Sequence, residues 1–242
     1  MKNYAFYEKT EVTHEVVESR RSETCYDLIT ALVAKRLNHG AKKRVLDIGC
    51  GDGSFITKFK NCCTVFGVDI SSKAVELAEK AGLNAYRLDI SSEKLPFENE
   101  YFDLVYMGDV IEHLVNPDFA IDEAARVMRP NGYLVITTPN LASWLNRMLL
   151  LLGFQPLSSE VSTVKDFGRP DRQSRISRLP VGHLRIFTFR ALKEFLSYYR
   201  FEIIEAKGVS FGMQSKTLSI IDGVLSRITS FASIIIVIAR KN

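Results

Sequence analysis

The chain has 242 residues, 46% of them hydrophobic, which suffices for one substantial core and favours one elaborated domain over two. Its formal net charge of +4 is too mild to argue by itself for a nucleic-acid binder. The cysteines Cys25, Cys50, Cys62 and Cys63 show no CxxC spacing and no partnering histidine pattern, so no metal is expected and a reducing, cytoplasmic setting fits best.

Residues 1–17 hold no apolar signal-peptide core. Helical spacing at Tyr26, Ile29, Leu32, Val33 and Leu37 predicts a helix over 22–37, the main element of an N-terminal helical cap over 1–40. Strand and helix then alternate. RVLDIG (44–49) reads as a strand with a short helix after the glycines, and TVFGVDI (64–70) as a second strand. The helix over 71–82 is capped by Ser71 or Ser72 and stopped by Gly82. Strands follow over 84–90 and 101–107, and then a helix with Asn116 as its cap and Pro117 in its first turn. RPNG turns the chain into a fifth strand, YLVITTPN (133–140). The rhythm breaks over 141–183, an insertion or lid on the substrate side, and resumes with a helix (187–200), a strand (201–208), a helix (215–228) and a last strand (233–239). The stretch 230–240 is too short to span a bilayer and reads as a buried strand; 143–154 is also short and carries Arg147. The expected fold is α/β: a doubly wound, mostly parallel seven-stranded sheet with helices on both faces, spanning 41–242.

In such sheets the ligand sits beyond the carboxyl ends of the strands, and the first strand's turn is the usual point of contact. Dinucleotide enzymes want GxGxxG there, but the third glycine's place is Ser54; Gly49, Gly51 and Gly53 alternate instead. Asp47 and Asp52 make the loop acidic, which suits a ligand carrying an ammonium and a sulfonium better than a pyrophosphate. Asp69, closing the second strand, is placed to accept bonds from two ribose hydroxyls, and Asp89, after the third, to meet an adenine amino group. The plainer alternatives are a strand-end carboxylate that caps the next helix for Asp69, and a capped turn for Asp89.

VLDIGCGDG, VFGVDIS, LDISSEKLPFENEYFDLVYMGDVIEHL and ARVMRPNGYLVITTPN resemble, in order and spacing, the motifs of class I S-adenosylmethionine-dependent methyltransferases, most closely the type 11 group with the ubiquinone and menaquinone biosynthesis enzymes. The likeness covers about 43–140 and resumes at GHLRIFTFRALKEFLSYYRFEIIEAKG (182–208). It implies S-adenosyl-L-methionine as cofactor and S-adenosyl-L-homocysteine as product. By position, Gly49, Cys50 and Gly51 would line the methionine part, with Asp47 facing its amino group. Asp69 would hold the ribose, Ile70 would pack on the adenine, and Asp89 with Ile90 would meet its edge. Asp109 would border the sulfonium and the acceptor.

GDVIEHL sets Asp109, Glu112 and His113 at i, i+3 and i+4, within one expected helical turn at the methyl end. His113, and with it Asp109, are the catalytic candidates: a hydroxyl acceptor needs a base, and histidine suits neutral pH. A histidine that only packs or bonds a carbonyl is the alternative. His183 and Arg185 are candidates to touch substrate. Over 141–152, Leu141, Trp144, Leu145, Met148, Leu149 and Leu152 form one helical face, which either packs on the core or meets a greasy substrate or a membrane surface. From 165 to 190 seven basic residues, Arg172 and Arg175 among them, stand against two acidic ones, an arginine cluster suited to phosphate or carboxylate. The expected reaction is in-line methyl transfer to a small-molecule acceptor, lipid-linked, isoprenoid or anionic. Sparse aromatics over 165–186 argue against RNA. The other readings are an RNA or protein methyltransferase, a non-catalytic cofactor-binding module, and a nicotinamide dehydrogenase, the last disfavoured by Ser54. The oligomeric state is left open, and the acceptor has no motif of its own.

Overall fold

A computed structural model describes residues 18–36, 42–170, 180–210 and 216–242. Helix α1 (Glu18–Arg36) leads into β1 (Lys43–Ile48), whose glycine loop ends in a single 3-10 turn (Ile56–Phe59). Then come β2 (Cys63–Asp69), α2 (Ser72–Lys80), β3 (Asn84–Arg87), β4 (Phe102–Gly108), α3 (Pro117–Val127) and β5 (Met128–Pro139). Helix α4 (Trp144–Leu151), α5 (Phe189–Tyr198), β6 (Phe201–Val209), α6 (Lys216–Leu225) and β7 (Ile234–Lys241) complete the described elements.

The seven strands form one sheet in the order β3-β2-β1-β4-β5-β7-β6. All adjacent pairs are parallel except β5–β7 and β6–β7, so only β7 runs against the rest. Strand order reverses between β1 and β4, which opens the crevice at their carboxyl ends. Apolar strands need cover on both sides, and two clusters supply it. On one face Leu46, Ile48, Val105 and Ile136 meet Ile121 and Ala124 of α3 and Leu192 and Leu196 of α5. On the other Val45, Leu104, Val135 and Ile236 meet Cys25, Leu28, Ile29 and Leu32, so α1 shares the core of the sheet. The doubly wound fold is as expected.

The caps show why the helices start where they do. Ser71 Oγ accepts the Ala74 N–H at 3.3 Å, and Asn116 Oδ1 accepts the Phe119 N–H at 3.1 Å with Pro117 at the start of α3. Three expectations need correction. Strand β3 stops at Arg87, so Asp89 and Ile90 lie on a turn beyond it. Strand β5 begins at Met128, and RPNG is an irregularity inside it: Met128 pairs with Phe102, the register then jumps to Tyr133 opposite Leu104, and Asn131 takes φ of 61°. The apolar stripe on α4 is not one buried face. Leu149 is buried, but so is Asn146, while Met148 and Leu152 are exposed. Asn146 turns inward because its side chain bonds the Asn140 carbonyl (3.0 Å) and the Leu157 N–H (2.8 Å).

Candidate active site

Gly49, Gly51 and Gly53 all have left-handed φ, 76°, 54° and 77°. A Cβ on Gly49 would lie 2.3 Å from Val110 Cγ2, because the β1 and β4 loops touch there; a Cβ on Gly51 would meet nothing within 4 Å. The loop's N–H groups are largely committed to protein acceptors. Gly49 and Cys50 both donate to the Val68 carbonyl (2.8 and 3.1 Å), Gly51 to Asp69 Oδ2 (2.9 Å) and Ser54 to Asp52 Oδ1 (2.9 Å). With only one 3-10 turn behind it, this loop offers no array of free donors for a pyrophosphate.

Carboxylates surround the loop instead. Asp47 is 3% exposed, and no hydrogen bond reaches its side chain among the described residues. Burial, and then the Asp69 charge, push its carboxyl well above the usual range. Asp69 Oδ1 accepts the Ser71 N–H at 2.9 Å and Oδ2 the Gly51 N–H at 2.9 Å. Burial raises its pKa against the lowering effect of those bonds. It does help to start α2, as the plainer reading had it, yet each oxygen keeps a further acceptor site. Asp89 is built into the capped turn named as its alternative: Oδ1 accepts from Ser91 N (2.9 Å), Oδ2 from Ser92 Oγ (3.0 Å), and its own N–H donates to Glu93 Oε2 (3.1 Å). Cys50 is buried and its thiol is driven upward by burial and then by Asp47, so it stays protonated and non-nucleophilic. Ile70 is half-buried and Ile90 buried.

At the end of β4 the expected helical turn is absent. Asp109 takes φ of 51°, and only Ile111–His113 form a 3-10 turn, so Asp109 does not share a helical face with Glu112 and His113. The cause is its anchoring: the Asp109 N–H donates to the Thr137 carbonyl (3.0 Å), Thr137 Oγ1 donates to Oδ1 (2.9 Å), and Oδ2 pairs with Arg21 of α1. Both of its carboxylate oxygens are thereby held by protein partners. Glu112 is fully buried; Oε2 accepts from Thr138 Oγ1 (3.0 Å), while Oε1 has no hydrogen-bond partner among the described residues. Burial, followed by Asp109, raises its pKa well above the usual range.

The chain after the insertion is stitched onto this turn. Leu184 and Arg185 donate their N–H groups to the Glu112 carbonyl (2.8 and 3.0 Å), and the Arg185 guanidinium donates to the Leu114 carbonyl (3.1 Å). Glu160 accepts from the Val181 and Gly182 N–H groups (2.8 and 2.9 Å). His113 Nδ1 lies 3.2 Å from the Gly182 carbonyl, and His183 Nδ1 lies 2.9 Å from the Ser158 carbonyl. A carbonyl only accepts, so each Nδ1 carries the proton and Nε2 is the basic nitrogen of both rings. The two rings are 4.8 Å apart. The structure thus brings His113 and His183 together and gives Arg185 a tethering bond; Arg172 and Arg175 lie outside the described residues. Glu112, His113 and His183 also offer donor atoms all within 4.8 Å of one another, types suited to a divalent cation where none was expected. Arg21, Thr137, Thr138 and Glu160 escaped the sequence reading; the TTPN strand end was the one visible signal for the threonines.

Residues 46–136 match the family model for a methyltransferase domain. An uncharacterized protein of Methanocaldococcus jannaschii is 36% identical over 110 residues, 46% of this chain and 51% of that protein. A ubiquinone biosynthesis O-methyltransferase of Bartonella bacilliformis is 30% identical over 46% of each chain, and the 27-O-demethylrifamycin SV methyltransferase of Amycolatopsis mediterranei is 32% identical over 49% of this chain and 47% of its own. The chain spans about half the length of these curated relatives. A Pyrococcus horikoshii structure superposes with a TM-score of 0.60 at 18% identity, covering 98% of this chain and 99% of that one, and so supports the fold. The matched stretch holds the switch-point crevice and its acidic glycine loop, and over it the chain is similar to S-adenosylmethionine-dependent methyltransferase domains. The model that matches is that of the type 11 methyltransferases. The likeness implies S-adenosylmethionine as cofactor, and the loop fits it: a buried carboxyl with no hydrogen-bond partner among the described residues, and a glycine facing open space, suit a cationic amino-acid portion.

Proposed function

We propose that the protein methylates a hydroxyl oxygen of a small, largely apolar acceptor. Asp47, Gly49, Cys50 and Gly51 hold the methionine portion of the cofactor, Asp69 its ribose, Ile70 one adenine face, and Asp89 with Ile90 the adenine edge. When bound, S-adenosylmethionine supplies an electrophilic methyl on a sulfonium. Asp109, fixed by Thr137 and Arg21, borders that methyl and positions the acceptor. His113 would take the acceptor proton on Nε2 during methyl transfer, with S-adenosylhomocysteine as the other product. His183, whose ring lies 4.8 Å from that of His113, borders the acceptor beside it. The carrying observation is the bond between His113 Nδ1 and the Gly182 carbonyl, which orients Nε2 as a base. The names of the curated relatives, O-methyltransferases of quinone and rifamycin precursors, favour oxygen as the target.

The test is transfer of labelled methyl to a panel of phenols, catechols and aliphatic alcohols. His113→Ala should lower kcat by about 10²- to 10⁴-fold while S-adenosylhomocysteine binds as before. A His113→Ala enzyme with undiminished kcat would remove the base assignment, and no transfer to any hydroxyl would remove the acceptor class.

The unpartnered Oε1 of buried Glu112 beside His113 and His183 favours a second reading, in which the three hold a divalent cation that binds the acceptor hydroxyl. Chelation separates the two: full activity after dialysis against a chelator retains the base and discards the cation.

A further inference from the structure

Helices α4 and α6 are built inside out. On α6 the side chains turned to the protein include Asp222 (1% exposed), and Ser226 just beyond the helix is also buried. The outward ones are Leu218, Ile220, Ile221 and Val224, followed by Ile228. On α4 Asn146 is buried beside Leu149 while Met148, Leu150 and Leu151 are exposed, Leu151 at 80%. The inverted polarity has a structural cause. Asp222 Oδ1 accepts from Trp144 Nε1 of α4 at 2.8 Å and from Ser233 Oγ at 3.3 Å, which locks the polar side of α6 inward and fastens the two helices together. A helix that hides its polar residues and shows its isoleucines needs an apolar partner.

The exposure is concentrated. Of the twenty exposed large apolar residues described, fifteen lie in 148–184 and 218–228; the other five, such as Leu77 and Tyr198, are scattered. Both segments follow strands that run parallel, β5 and β6, so they sit beyond the carboxyl end of the sheet, on the side of the glycine loop. Their charges favour one occupant. Arg147, Lys165 and Arg227 are exposed, whereas the described acids of these segments are withdrawn: Asp222 is buried, Glu160 holds two backbone N–H groups, and Asp166 pairs with Arg169. No described helix is long and apolar enough to cross a membrane, so the contact is peripheral.

We propose that the α4–α6 face docks on an anionic lipid bilayer, with the leucines and isoleucines in the acyl boundary and the bases at the headgroups. Docking there turns the mouth of the crevice toward the lipid. The assignment is independent of the acceptor and of methyl transfer.

The test is co-sedimentation of the full chain with vesicles of phosphatidylcholine alone and with about a third phosphatidylglycerol. The protein should pellet with the anionic vesicles and be released by salt. Leu151→Asp and Ile220→Asp, both at exposed positions, should each weaken binding about tenfold or more, and Arg227→Gln about fivefold. Unchanged S-adenosylhomocysteine binding by each variant shows that it is folded. Failure to pellet with any vesicle overturns the proposal, as does binding indifferent to both aspartates. A stable dimer in light scattering that Ile220→Asp splits would also overturn it, by giving the face to a second copy of the chain.

Discussion

Two alanine substitutions in the glycine loop separate folding from ligand binding. At Gly51 the cost of folding is the left-handed backbone alone, about 1–2 kcal/mol, since a Cβ there meets nothing within 4 Å. At Gly49 the same backbone cost is joined by a clash 2.3 Å from Val110 Cγ2, an overpacking cost of about 1–3 kcal/mol more. For a chain of this size each kcal/mol moves Tm by about 2–4 °C, so Gly51→Ala should lose about 2–8 °C and Gly49→Ala about 4–20 °C. The order reverses in what it tells about binding. The Gly51 methyl fills the space assigned to the methionine portion of the cofactor, so Gly51→Ala should weaken S-adenosylhomocysteine binding about 100-fold, about 2.7 kcal/mol, while the fold survives. Thermal melts and titration calorimetry on both variants measure this. A Gly51→Ala protein that binds within about threefold of the parent would refute the placement of the ligand against this loop.

Asp47 is held above the usual carboxylate range in the fold, so its neutral form is favoured there. Its contribution to stability is therefore present below about pH 4 and lost as pH rises through the elevated folded value. Asp47→Asn should raise the Tm of the ligand-free protein near about pH 8, raise it little near about pH 4, and weaken cofactor binding; melts across pH show it. Arg126 donates to both oxygens of Glu123 and to the Leu95 and Phe97 carbonyls. Arg126→Met, which strands a mostly buried carboxylate, should cost about 1–3 kcal/mol in denaturant unfolding without changing cofactor affinity. Arg21→Ala frees Asp109 from its ion pair and should change KM for the acceptor more than the Kd of S-adenosylhomocysteine, as steady-state kinetics and calorimetry compare directly.

The sheet was legible because its signals are local. Unbroken apolar runs such as LVYM in β4 and IIIVIA in β7 can only be central strands, and Asn116-Pro117 and Ser71 announce their helices within a turn. The glycine loop was readable for the same reason: three left-handed residues at alternate positions strongly favour glycine, and the sequence places glycine at each. The acceptor side was not, because its geometry comes from residues far apart in sequence. Asp109 leaves the helical register through Thr137, 28 positions on, and Arg21, and His113 is oriented by a carbonyl 69 positions away. Helical periodicity on α4 misled at Asn146, whose inward turn depends on partners at Asn140 and Leu157. Asp89 shows the converse, a local pattern, D-I-S-S-E, that makes its own capped turn whatever ligand lies nearby.

Strand β7 leaves the ribosome after both of its neighbours, yet it is slotted between them, β5 on one side and β6 on the other. Until Ile234–Lys241 have emerged, the nascent sheet has an open edge along β5, and β6 has nowhere to pair. The β5–β6 side of the sheet therefore closes only once β7 has emerged. A product released before Ile234 would keep β1 to β5 and expose a bare strand edge to its neighbours, a species for chaperones and proteases to clear.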